Sequence, residues 1–167
     1  MFRKMDDFLA RFDNDTSATR KIFAALTDES LKAMSVEGHR ELGGIAWHIV
    51  VTYPEMMNQT DLGIASINHE SMPPSSAAEI LAGYDSVTDE LKSAVKSKWS
   101  DKTLEAVDDM YGRKWARGLT LGILLDHEVH HRGQMTILMR MAGLTVPGIY
   151  GPAKEEWEKS GMPEPPY

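Results

Sequence analysis

Apolar residues in this chain recur at intervals of three and four along four long stretches, while the strand signal is weak throughout. In the first stretch, about residues 2–26, Met5, Phe8, Phe12, Thr16, Thr19, Phe23 and Leu26 build one helix face. The second, about 41–60, contains Pro54, which removes a backbone donor and should kink or split it. The third, about 76–99, opens on Ser76-Ala77-Ala78-Glu79, a capping-box pattern, and continues through Ile80, Tyr84, Val87, Leu91 and Val95. The fourth, about 119–142, stops at Gly143, a residue suited to the left-handed position after a helix. Four helices of this length, each about 30–39 Å long, make an all-α four-helix bundle. At 167 residues the chain is expected to be one domain, with enough surface buried to need no staples.

The connections 26–40 and 61–75 are polar. The segment 99–118 is long for a bundle loop, and it should form a short hairpin or pack over one end. An extended tail, 143–167, carries five prolines and a short helical stretch around 154–159. There is no cysteine, so disulfides, thiolate metal sites and a cysteine nucleophile are excluded. A net charge of −7 without a basic block argues against nucleic acid, whose binding rests on neutralising phosphates. No apolar run approaches the ~20 residues of a membrane span. The start, Met1-Phe2-Arg3-Lys4-Met5-Asp6-Asp7, turns acidic where an export signal needs its apolar stretch, so a cytoplasmic location is expected.

The chemistry concentrates in the fourth stretch, Asp126-His127-Glu128-Val129-His130-His131-Arg132-Gly133-Gln134. At about 100° per residue, His127 and His131 lie about 40° apart and one turn along, the spacing of two imidazoles that share one ion. Leu124, Met135, Leu138 and Ala142 lie within about 60° of the line between them. The wheel therefore sets both histidines in the middle of the buried stripe, with His130 on the flank and Arg132 pointing away. Leu125 and Val129 fall on the far side, which suggests a homodimer or a cover by the Trp115 loop. Buried imidazoles need partners, either neighbouring hydrogen-bond groups or a metal.

A third candidate ligand, His48, shares its side of the second helix with Ile45, Val51 and Thr52. Glu55, two turns on, is a candidate second-sphere acceptor or base, and Gln134 a candidate for orienting a ligand or substrate. Three neutral imidazoles without a thiolate suit a divalent transition metal, Zn or Ni before Fe or Mn. Three protein ligands leave an open position, as catalytic rather than structural sites do. The string His127-Glu128-Val129-His130-His131 also fits the zinc-protease pattern, but Glu128 stands about 80–90° off the apolar line, away from a general base's place. Arg113, Lys114 and Arg117 could hold an anionic cosubstrate or simply form a solvated face, and His39 and His69 read as surface residues.

The stretches 42–49 and 126–134, with His-x-x-x-His-Arg-Gly-Gln at their heart, and the tail Val146-Pro147-Gly148-Ile149-Tyr150-Gly151-Pro152 resemble the DinB/YfiT-like family of metal-dependent proteins. The resemblance spans almost the whole chain. It implies an up-down-down-up bundle with long crossovers, frequent homodimers, and metal-ligand roles at His48, His127 and His131. Some such relatives are metal-dependent thiol transferases using bacillithiol or similar thiols, and one is a mycothiol-dependent isomerase. The expectation is a metal-dependent enzyme of thiol-transferase or hydrolase type acting on a small molecule, with a low-molecular-weight thiol as partner. Two alternatives are a non-catalytic protein whose ion only stabilises the bundle, and a bundle holding its histidines free of metal.

Overall fold

The structure, a computed structural model, describes residues 1–161 and 163. Pro165 and Pro166 of the expected tail lie outside the described residues. Four long helices, α1 (Met5–Ala24), α2 (Leu42–Met57), α3 (Ala77–Lys98) and α4 (Arg117–Met141), carry the fold. Between α3 and α4 the strands β1 (Val107–Met110) and β2 (Arg113–Ala116) pair antiparallel, Val107 opposite Ala116 and Met110 opposite Arg113. Their turn, Tyr111-Gly112, has positive φ at both residues (54° and 75°), which is the two-residue hairpin geometry that follows the strand twist. In the tail, Trp157–Ser160 form a short α5.

Contacts between the helices give the topology. α1 packs on α3 and α4, and α2 packs on the same two, so the chain crosses a diagonal from α1 to α2 and again from α3 to α4. Phe2 N–H bonds the Gly118 carbonyl and Arg11 pairs with Asp126, so α1 and α4 run the same way. Arg20 pairs with Asp85 and Lys92 with Asp13, so α3 runs against α1. Ile45 and Leu138 line one cavity and the His48 and His131 rings lie 4.7 Å apart while Tyr53 meets Glu128, so α2 runs against α4. The order is up-down-down-up.

Local chemistry explains the helix ends. α4 stops in a Schellman turn: Gly143 takes φ 76°, its N–H bonds the Arg140 carbonyl, and Leu144 N–H bonds that of Met139. α2 passes through Pro54 without splitting. The proline stands in the last turn, where only one ladder bond is lost, and Asn58 N–H closes the turn on the Pro54 carbonyl. Ser76 is the residue before α3, but the expected capping box does not form. Asp28, from the α1–α2 crossover, accepts the Ala77 N–H at 2.7 Å instead.

The core is aromatic at its centre. Phe8, Phe12, Phe23, Tyr53 and Tyr84 are buried, with Phe12 and Tyr53 edge to face at 6.3 Å and Tyr53 and Tyr84 at 6.1 Å. No described helix is long and apolar enough to cross a membrane.

Candidate metal centre

α2 and α4 run antiparallel with their histidines at one level. His127 Nε2 lies 3.2 Å from His48 Nε2 and 3.1 Å from His131 Nε2, and the three ligand atoms all fall within 4.8 Å of one another. Two nitrogens bound to one ion at about 2.0–2.1 Å, with an angle between tetrahedral and octahedral at the ion, stand about 2.8–3.4 Å apart. The two shorter separations fit that spacing.

The tautomer of one ring is set by its neighbour. Gln134 Oε1 can only accept, so His131 Nδ1–H donates to it at 2.8 Å, and the Nε2 lone pair faces the cluster. The Gln134 amide nitrogen in turn reaches His130 Nε2 at 3.1 Å. His130 is exposed and does not join the three. Burial pushes the imidazoles of His48 and His127 down to about 4, helped by the charge of Arg40 and by the neighbouring histidines. His131 is lowered for the same first reason. Near neutral pH the three rings are uncharged, the form in which imidazole binds a cation.

The histidines are half-buried, not at the middle of the core stripe. The buried face of α4 runs from Leu138, level with the histidines, through Leu124, Met135 and Glu128 to Leu121, Met139, Arg132 and Leu125, so its centre lies about 80° around the helix from the line between His127 and His131. Leu125, expected on an outer side, is 0% exposed. The wheel misplaced the stripe because Glu128 and Arg132, two charged residues, occupy its centre.

That charged centre went unrecognised at the level of sequence. Glu128 is 1% exposed and Arg132 3%. Thr19 of α1 donates to Glu128 Oε1 at 2.6 Å, Tyr84 of α3 donates to the same oxygen at 2.9 Å, and Tyr53 of α2 donates to Oε2. One carboxylate of α4 thus binds all three other helices. Arg132 donates to the Asp15 carbonyl at 2.9 Å, to Thr19 Oγ1 at 2.8 Å and to the Tyr150 hydroxyl, which itself donates to Asp15 Oδ1 at 2.8 Å. Burial raises the Glu128 carboxyl, against the pull of the hydroxyls and Arg132. Among the described residues no buried side-chain polar atom lacks a partner.

The remaining candidates lie elsewhere. Glu55 accepts from the Tyr111 hydroxyl at 2.6 Å and from Gln59, and it is not in the histidine group. Its place is under the hairpin. Arg117 is closed by Asp108 and Asp61 at 2.8 and 2.9 Å and stacks over Trp99, and Lys114 pairs with Asp109, so neither is free to clamp an anion. His39 is an exposed residue of the crossover before α2, as expected, and it also lines a cavity of about 370 Å³ beside His131, together with Arg40, Ile45, Gln134 and Leu138. The cavity itself has no local signal in the sequence, because its two walls come from the crossover and from α4.

This three-histidine arrangement sits in a chain whose residues 1–165 match the DinB family. The chain is a DinB-family protein. It is 42% identical over 165 residues, 99% of each chain, to the uncharacterized protein YrdA of Bacillus subtilis (strain 168). It matches the crystal structure of a DinB-like protein from Bacillus cereus ATCC 10987 with a TM-score of 0.86 and 40% identity, covering 90% of this chain and 100% of that one. YjoA from Bacillus subtilis, a DinB-like protein at 17% identity, shares the fold with a TM-score of 0.69, over 86% of this chain and 96% of that one.

Proposed function

We propose that this DinB-family chain binds one divalent transition metal through His48, His127 and His131 and uses it in catalysis, as a thiol-transferase or hydrolase on a small molecule. The observation that carries the reading is the convergence of three imidazoles, with His127 Nε2 at ion-ligand spacing from both of the others, and one of them, His131, on the wall of a cavity. An ion closed off by protein would suit a structural role, whereas three half-buried histidines, with open space beside His131, leave room for a further ligand. The donor set, all imidazole, favours zinc or nickel, with iron or manganese next. When bound, such an ion would activate a coordinated water or thiol as a nucleophile.

The chain's own residues have separate tasks in this reading. Gln134 keeps the His131 lone pair turned to the ion. The Glu128 network holds α2 against α4, so that His48 stays opposite His127. Arg40 stands on the open side, where a substrate would arrive. A thiol partner and a cytoplasmic location belong to the same proposal and agree with a chain that carries no cysteine of its own. A homodimer is proposed through the exposed Ile137 and Met141 of α4, and light scattering that gives the mass of one chain would refute it.

The direct test is metal analysis of protein purified without a histidine tag, followed by titration of the stripped protein. About one transition-metal ion per chain, lost in His48→Ala, His127→Ala and His131→Ala, is expected. Turnover of electrophile–thiol pairs or of small hydrolysable substrates is then measured with and without the ion. A loaded protein inert in both assays would leave the ion a stabilising role only and overturn the catalytic half of the proposal.

A further inference from the structure

The cavity beside the histidines has an uneven lining. Ile45 and Leu138 supply apolar walls, and Ile137, 61% exposed, extends them outward. His131 and Gln134 contribute polar groups to the lining. Arg40 is the cationic residue among those lining the space. Its guanidinium makes no ion pair and no side-chain hydrogen bond with the described residues. Most other arginines of the chain are committed: Arg11, Arg20, Arg117, Arg132 and Arg140 all pair with acids.

The charge balance at this spot is one-sided. The three candidate ligands are neutral, so a bound dication would keep its full charge. The carboxylates near α4's histidines are turned elsewhere, Glu128 into the core and Asp126 to Arg11. Arg40 lines the same space as His131, which places its positive charge on the side of the cavity where the ion would sit. Two positive centres flanking one apolar-walled space, with no acid between them, leave a demand for negative charge that the protein itself does not meet. A guanidinium also presents a planar fork of donors that matches a carboxylate.

We infer that Arg40 is the recognition residue for the carboxylate of a small, partly apolar cosubstrate that fills the cavity between the α1–α2 crossover and α4, its far end directed at the ion. The inference rests on the metal reading above and deepens it by assigning the substrate's charge and the residue that selects it. A cavity of about 370 Å³ sits at the lower end of the usual range for small-molecule sites, which sets a modest size for the occupant.

The test uses cobalt-loaded protein and two probes, 3-mercaptopropionate and its methyl ester, with binding followed by the sulfur-to-cobalt absorption. Wild type and Arg40→Gln are titrated with both, and cobalt stoichiometry and the melting temperature of each protein are recorded. Comparing the acid-to-ester affinity ratio between the two proteins cancels the different thiol acidities of the probes. The ratio is expected to fall about tenfold or more in Arg40→Gln, the loss due to one charge-assisted contact, while cobalt content is unchanged; Arg40→Lys should recover part of it. A ratio the same in both proteins, with cobalt bound and the thiol absorption present, would overturn the role of Arg40 and leave the metal site standing. Failure of wild-type protein to take up cobalt would overturn the metal reading itself, and the inference with it.

Discussion

Three imidazoles with lowered proton affinity, one of them oriented by an amide, define what single residues should do. His48, His127 and His131 each contribute a ligand atom, so replacing any one by alanine should abolish tight metal binding. His130→Ala should leave it, because His130 stands outside the group. Gln134→Ala removes the acceptor that orients His131, and a metal affinity lower by about 10–100-fold is expected, measured by competition with a chromophoric chelator. The pH response of the metal-free protein follows from His48 and His127, both pushed down to about 4 in the fold. An unfolded histidine takes a proton near 6.5. Between those values the unfolded chain binds protons that the folded chain refuses, so stability declines as pH falls from about 6.5 toward 4. Urea unfolding of the stripped protein across this range should show that slope, and it should be shallower in His127→Ala.

At the level of elements, α4 is organised around a carboxylate. Glu128 receives hydroxyls from α1, α2 and α3, and Arg132 one turn on ties α1 to the tail through Asp15 and Tyr150. Removing one member of a buried charged network strands the others. Glu128→Ala should therefore cost about 3–5 kcal/mol in denaturant unfolding, and Glu128→Gln, which keeps an acceptor oxygen, clearly less. Because the same bonds hold α2 in register with α4, Glu128→Gln should also weaken metal binding without touching a ligand. A variant as stable as wild type, with undiminished metal affinity, would deny the network both roles. The hairpin is a separate device. Its Tyr111 reaches back to Glu55, and Arg117 joins β1 and the α2–α3 connection at the start of α4.

For the whole molecule, the ligands come from α2 and α4, elements separated in the chain by the α2–α3 connection, α3 and the hairpin segment. The folded chain brings His48 to His127 across 79 positions, a proximity absent in the unfolded chain. Binding restricted to the folded state adds about 2.7 kcal/mol at a hundredfold excess of ion over Kd. In a chain of this size that raises the melting temperature by roughly 5–10 °C. The shift should be present at pH 7.5, reversed by chelator, and diminished toward pH 5 as protons compete for the imidazoles. A melting curve indifferent to chelator, in protein known to have held metal, would contradict this coupling.

Periodicity within a few turns is a local property, and the chain alone therefore determined the four helices, the Gly143 stop and the pairing of His127 with His131, since a helix places residues four apart on one side whatever surrounds it. His48 was also legible, as a polar residue in the middle of an apolar helix face. What lay outside the reach of local pattern was the identity of the buried line in α4. Glu128 and Arg132 look like solvent-facing residues until Thr19, Tyr53, Tyr84 and Asp15, the nearest of them 44 positions from Glu128, arrive to satisfy them. The same holds for Arg40, set beside the histidines by a crossover, and for Arg117, neutralised by acids on two other segments. Burying a charge is decided by the partners that meet it, and those partners are assembled only when the helices pack.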